Sequence, residues 1–94
     1  MNNISLLDKT PAEINSQIAE NVKKIRKRRK ISQKKLSEIS GVSLGSLKRF
    51  EQTGEISLIS LTKIAFALGL ENEMEALFSE APFLSIEEIM NEQD

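Results

Sequence analysis

Apolar residues recur at helical spacing through most of this chain. Between Glu13 and Arg29, the positions Ile14, Ile18, Val22 and Ile25 fall four, four and three residues apart. That is one stripe of an amphipathic first helix, with polar or basic residues on its other faces. Ile31 is expected to pack down as the chain turns into Ser32. The stretch SQKKLSEISGVSLGSLKRFEQTG, from Ser32 to Gly54, holds two shorter patterns, each opened by a serine able to accept from the amides of a first helical turn. In the earlier one Leu36, Ile39 and Ser40 form a stripe, and Gly41 closes the helix in the left-handed conformation that glycine adopts without steric penalty. In the later one, about Leu44 to Thr53, Leu47 and Phe50 face inward and Leu44, Gly45, Ser46, Lys48, Arg49 and Gln52 are left outside. Thr53 and Gly54 stop it.

Ser57 is placed to cap a fourth helix, with Leu58, Leu61, Ile64, Ala65 and Leu68 as a wide stripe and Ile59 and Phe66 partly on another side. This helix is expected to be the most buried. Gly69 ends it, and Glu71 to Glu80 reads as a short fifth helix with Met74, Leu77 and Phe78 as its apolar face. Beyond Pro82, Ser85 and Glu88 stand at capping-box spacing ahead of a stripe of Ile86, Ile89 and Met90. The pattern predicts an all-α chain: a five-helix domain over residues 13–80, a flexible arm over 1–12 whose Ile4, Leu6 and Leu7 can dock elsewhere, and a short acidic helix or tail over 81–94 for dimer or partner contact.

Ninety-four residues suit one core and no second. The chain has no cysteine and no histidine. A disulfide framework is therefore excluded, the usual zinc, iron and copper sites lose their ligands, and no ordinary pairing of nucleophile with base can be assembled. No metal, cofactor, catalytic residue or small-molecule ligand is expected, and the chain does not read as an enzyme. No apolar run approaches the roughly 20 residues that span a bilayer, and the first residues lack a signal peptide's basic start and apolar middle. A cytoplasmic protein with no membrane partner is expected.

The formal charge is only −1, but its distribution is lopsided. From Val22 to Gly54 eleven Lys and Arg stand against Glu38 and Glu51, whereas from Glu71 to Asp94 there are eight acids and no base. One end suits a polyanion and the other repels it. Taken alone, the run KKIRKRRK also fits a solvated face or a basic amphipathic helix that lies on a membrane or a partner. Next to two short helices joined through a glycine, the second with cations on its outer face, it belongs to a helix-turn-helix signature.

From about Ile18 to Leu70 the sequence resembles the phage-repressor-like (Cro/repressor, XRE) helix-turn-helix family. The residues carrying the likeness are Arg26, Gln33, Leu36, Gly41, Val42, Ser43, Leu47, Glu51 and Gly54, followed by the run Leu58, Leu61, Ile64, Leu68, Gly69. Ser37 and Ser40 depart from it, standing where the family usually has alanine and a small apolar residue. The resemblance implies that Gln33 contacts a backbone phosphate. It also implies that Arg26 leaves the DNA face to pair internally with Glu51, fixing the angle between the first and recognition helices.

Double-stranded DNA is the expected partner. Ser43, Leu44, Gly45, Lys48 and Arg49 are placed at base edges, with Arg49 able to donate twice to guanine and Leu44 able to meet a thymine methyl. Gln33, Lys34, Gln52, Lys27, Arg28 and Lys30 are placed at phosphates. A few bases are too short a target for one gene, so a homodimer on a palindromic operator is expected, acting as an autoregulatory repressor at the nucleoid. The apolar-acidic tail is similar to those of HipB-type antitoxins paired with HipA-like kinases. The alternative function is therefore an antitoxin that neutralises such a toxin and represses its own operon.

Overall fold

The computed structural model describes residues 9–80 and 86–92. Among them all regular structure is helical: α1 (Pro11–Arg28), α2 (Gln33–Ser40), α3 (Leu44–Thr53), α4 (Leu58–Ala67), α5 (Glu71–Ala76) and α6 (Ile86–Met90). No helix here is long and apolar enough to cross a membrane. α1 packs on α3, α2 packs on both α3 and α4, and α4 packs on α5. Phe50, Leu36, Leu47, Ile64 and Leu68 are the largest fully buried side chains, joined by Ala19, Val22 and Val42. Ile25, Ile31, Ile56, Leu61, Ala67 and Leu70 pack against that cluster.

Hydroxyls open the first four helices. The amides of Lys35, Ser46 and Ser60 donate to the side chains of Ser32, Ser43 and Ser57 at 3.0, 3.1 and 3.2 Å. α1 starts two residues before the expected Glu13, so Pro11 and Ala12 belong to the helix. Thr10 and Glu13 form a capping box around Pro11 at the first helical position, the Thr10 amide donating to Glu13 Oε1 at 2.8 Å. α1 ends in a Schellman turn made by a lysine. Lys30 takes a left-handed φ of 58° while its amide and that of Ile31 donate to the carbonyls of Lys27 and Arg26.

Several expected core positions lie outside. Ile14 and Ile18 are 48% and 41% exposed, and the buried line on α1 is instead Ala19, Val22 and Arg26. The cause is a close approach. A Cβ on Gly54, at the end of α3, would stand 2.7 Å from the Asn15 carbonyl carbon and 2.8 Å from the Ser16 amide nitrogen. Backbone therefore meets α1 on that side, and the isoleucines are left at the rim. Ile39 is also exposed, and so is Leu58 at the start of α4. The rest of that helix fits the expectation, with Ile64, Ala65 and Leu68 inside, Ile59 and Phe66 on an outer side, and a larger share of its residues buried or half-buried than in any other described helix. α5 ends at Ala76 rather than Glu80, and Phe78, in a left-handed conformation, is 90% exposed. Residues 1–8 of the expected arm, Pro82, and the Ser85 cap with its capping box fall outside the described residues.

The departures at Ser37 and Ser40 serve the turn between α2 and α3. Ser37 Oγ donates to the Val42 carbonyl at 2.6 Å, and the Val42 amide donates to Ser40 Oγ at 3.1 Å. Both backbone groups of the buried Val42 are satisfied by side chains that alanine would lack.

Gly41 and Gly54 share a left-handed conformation, φ 77° and 83°, but a Cβ on Gly41 meets nothing within 4 Å. Gly41→Ala is expected to cost about 1 kcal/mol, the strain of a left-handed alanine. Gly54→Ala adds overlap with the α1 backbone and is expected to cost about 3 kcal/mol or more. Urea unfolding measures both, and equal losses would remove the close approach as the reason for Gly54.

Candidate nucleic-acid interface

The site is built on one buried charge. Arg26 is 7% exposed and projects from α1 toward α3, where Nε donates to Glu51 Oε2 at 2.7 Å and Nη2 to Glu51 Oε1 at 3.0 Å. Its Nη1 donates to the Ile31 carbonyl at 2.8 Å. The fork thus spans both carboxylate oxygens and the loop into α2, a geometry that lysine's single ammonium cannot reproduce.

Gln33, expected at a phosphate, directs its side-chain amide to the same acid: Nε2 donates to Glu51 Oε1 at 2.9 Å. Glu51 therefore gathers α1, α2 and α3 on one group, a role for Gln33 that residue spacing alone does not reveal. The Nε2 group carries a second hydrogen that this bond does not use. Burial pushes the Glu51 pKa up, but the hydrogen bonds from Arg26 and Gln33 and the charges of Arg26 and Lys23 outweigh it and hold it below the usual value.

On that frame α3 turns its two faces apart. Leu47 and Phe50 are buried to within 1%, and Lys48, Arg49 and Gln52 are exposed on the other side. Ser43 is exposed, but its hydroxyl is engaged as the helix cap and donates to Ser46 Oγ at 2.8 Å. Leu44, expected outside, is half-buried. Gly45 is exposed with ordinary helical backbone, and a Cβ there would meet nothing. Arg49 is not a free cation, since its Nη2 is paired with Glu55 Oε1. Lys34, Lys27, Arg28 and Lys30 are all exposed. Lys30 also holds the left-handed turn that ends α1, so any charge it offers is anchored next to the Arg26 network.

Removing one member of the Arg26–Glu51 pair strands the other in a site where the two side chains are only 8% and 2% exposed. Arg26→Met and Glu51→Gln are each expected to cost about 3–5 kcal/mol at neutral pH, with coupling of at least about 1 kcal/mol in the double mutant. Because the folded pKa of Glu51 is depressed, its contribution is present above the unfolded carboxylate value of about 4.3 and is lost as pH falls through the lower folded value. Wild-type stability should therefore drop more steeply with acid than that of Glu51→Gln. Denaturant unfolding at several pH values measures this, and strict additivity with parallel acid profiles would dismiss the pair as a coupled unit.

No curated protein sequence matches the chain. A family model described as helix-turn-helix matches residues 22–71, which is more than half of the chain and takes in the Arg26–Glu51 pair, both helices of the motif and all of α4. The chain belongs to the phage-repressor-like (XRE-type) helix-turn-helix family of DNA-binding transcription regulators.

Proposed function

We propose that this protein is a repressor that binds a palindromic operator as a homodimer and regulates its own gene. α3 enters the major groove in this reading, with Ser43, Leu44, Gly45, Lys48 and Arg49 nearest the bases, and Gln33, Lys34, Gln52, Lys27, Arg28 and Lys30 at phosphates. The observation that carries it is the division of α3. The helix is docked by a buried ion pair and two buried apolar residues, yet its outer face keeps Lys48, Arg49 and Gln52 exposed to water, Arg49 with the exposed Glu55 beside it.

Gly45 supports the same reading. A glycine inside a helix weakens it, and here neither the backbone angle nor a neighbouring atom requires one. Such a position is accounted for when the helix backbone must come close to another molecule, as it does in a groove.

The homodimer rests on a different surface. Leu58, Phe66, Met74, Leu77 and Phe78 line one apolar groove across α4 and α5, and four of the five are at least half exposed. A patch of this kind on a small domain marks an association surface. The exposure of Ile86, Ile89 and Met90 on α6 favours a second reading, in which that acidic, apolar helix is the element a kinase toxin holds and the chain is its antitoxin.

The test of function is a mobility shift of wild-type protein on duplex DNA selected from a random pool. With about six phosphates neutralised, the log–log slope of affinity on salt is expected near −5 between about 50 and 200 mM, and a flat response would defeat the DNA reading. Gly45→Ala separates fold from function. It is expected to raise stability by about 0.5 kcal/mol through helix propensity while weakening binding to the selected site at least about tenfold. Unchanged binding would show that Gly45 meets no DNA.

A further inference from the structure

Arg49 and Glu55 form an ion pair that stability does not explain. Their side chains are 68% and 63% exposed, and exposed pairs contribute little to folding. Glu55 is also an acid beside a cation on the helix face proposed to meet a polyanion, where it lowers attraction for DNA of any sequence. Its position is nevertheless closely specified. The Thr53 hydroxyl donates to the Arg49 carbonyl at 2.7 Å and accepts the Glu55 amide at 3.1 Å, so one side chain ties the backbone of both partners. Between them Gly54 is seated against the α1 backbone in a left-handed conformation, which fixes the turn that brings Glu55 back over α3.

The pair spends little of the guanidinium. Nη2 donates one hydrogen to Glu55 Oε1, and four of the five donors that an arginine carries remain for a ligand. A guanine is read through two parallel bonds to O6 and N7, and these require the guanidinium plane to be set. An arginine with 68% of its side chain in water otherwise samples many rotamers, and ordering it on binding costs affinity for the correct base in particular.

We propose that Glu55 is a specificity-determining positioning residue. Held by Thr53 and the Gly54 turn, its carboxylate orients the Arg49 guanidinium for one guanine in each half-site, while its charge weakens binding to all sequences alike. The inference rests on the reading of Arg49 as a base-contacting residue.

The experiment uses the full chain. Wild-type protein selects a site from a random duplex pool, and every single-base variant of that site is then titrated by fluorescence anisotropy against four variants. Arg49→Ala should abolish preference at one guanine. Glu55→Ala and Thr53→Val should each lower discrimination at that same base pair about three- to tenfold. Affinity for unrelated DNA should rise severalfold in Glu55→Ala but not in Thr53→Val, which keeps the charge. In the Arg49→Ala background, Glu55→Ala should cause no further loss of discrimination. If Glu55→Ala strengthens every sequence equally and leaves discrimination intact, Glu55 is only a neighbouring charge and the proposal is overturned. Sharper discrimination in Glu55→Ala would overturn it too, making the acid a competitor for Arg49. If Arg49→Ala keeps the full preference, the reading of Arg49 itself falls, a result distinguishable from a failure confined to Glu55.

Discussion

A charge placed inside a small helical domain must be answered on every side, and the Arg26–Glu51 pair draws its groups from three helices. Its guanidinium comes from α1, the carboxylate it grips is on α3, and the amide that completes the carboxylate's hydrogen bonding is on α2. Desolvation offsets much of what such a pair contributes in net stability. Its consequence is geometric: α3 cannot rotate or slide on α1 without separating two parallel hydrogen bonds and exposing two unpartnered charges to a dry interior. Gly54 adds a second fixed point at the far end of α3, where backbone meets backbone with no room for a methyl group. Glu51 and Gly54 lie less than one turn apart, so the presentation of the outer face follows from contacts made on the inner one.

The same constraint divides the basic run of α1 into different jobs. Arg26 points in and is consumed by Glu51 and the Ile31 carbonyl. Lys30 adopts the left-handed turn that ends the helix. The Arg29 guanidinium lies near Gly69, at the C-terminal end of α4, where the helix dipole favours a cation. Lys27 and Arg28 remain as exposed charge on the last turn of α1. A count of cations in this segment therefore overstates how many are free to neutralise a polyanion.

What was legible in the sequence is what depends on near neighbours along the chain. Ser32, Ser43 and Ser57 as caps, Gly41 and Gly54 as terminators, and Leu36, Leu47, Phe50, Ile64 and Leu68 as core all follow from local spacing. Thr10, Pro11 and Glu13 carry an equally plain start signal, lying just ahead of the apolar periodicity that marks the helix from Glu13. Ile14, Ile18, Ile39 and Leu58 are exposed against expectation because periodicity ranks residues by apolarity and says nothing of which partner is present to cover them. The acceptors chosen by Gln33 and Arg49 were not legible at all. Gln33 bonds an acid on another helix and Arg49 one in the turn that ends its own, and a carboxylate eighteen or six positions away leaves no mark on local periodicity.

The misplaced apolar residues and the buried pair have a common origin in size. The six helices of the described residues offer more apolar stripe than one small core can cover. Where α1 and α3 meet, a glycine lies against the α1 backbone and an ion pair joins the two helices. That choice draws the two helices close and sets their angle sharply, but it moves Ile14 and Ile18 to the rim. α4 likewise spends one side on the core and leaves Leu58, Ile59 and Phe66 outside. Precision at the recognition helix and unburied apolar surface elsewhere are thus two results of the same packing.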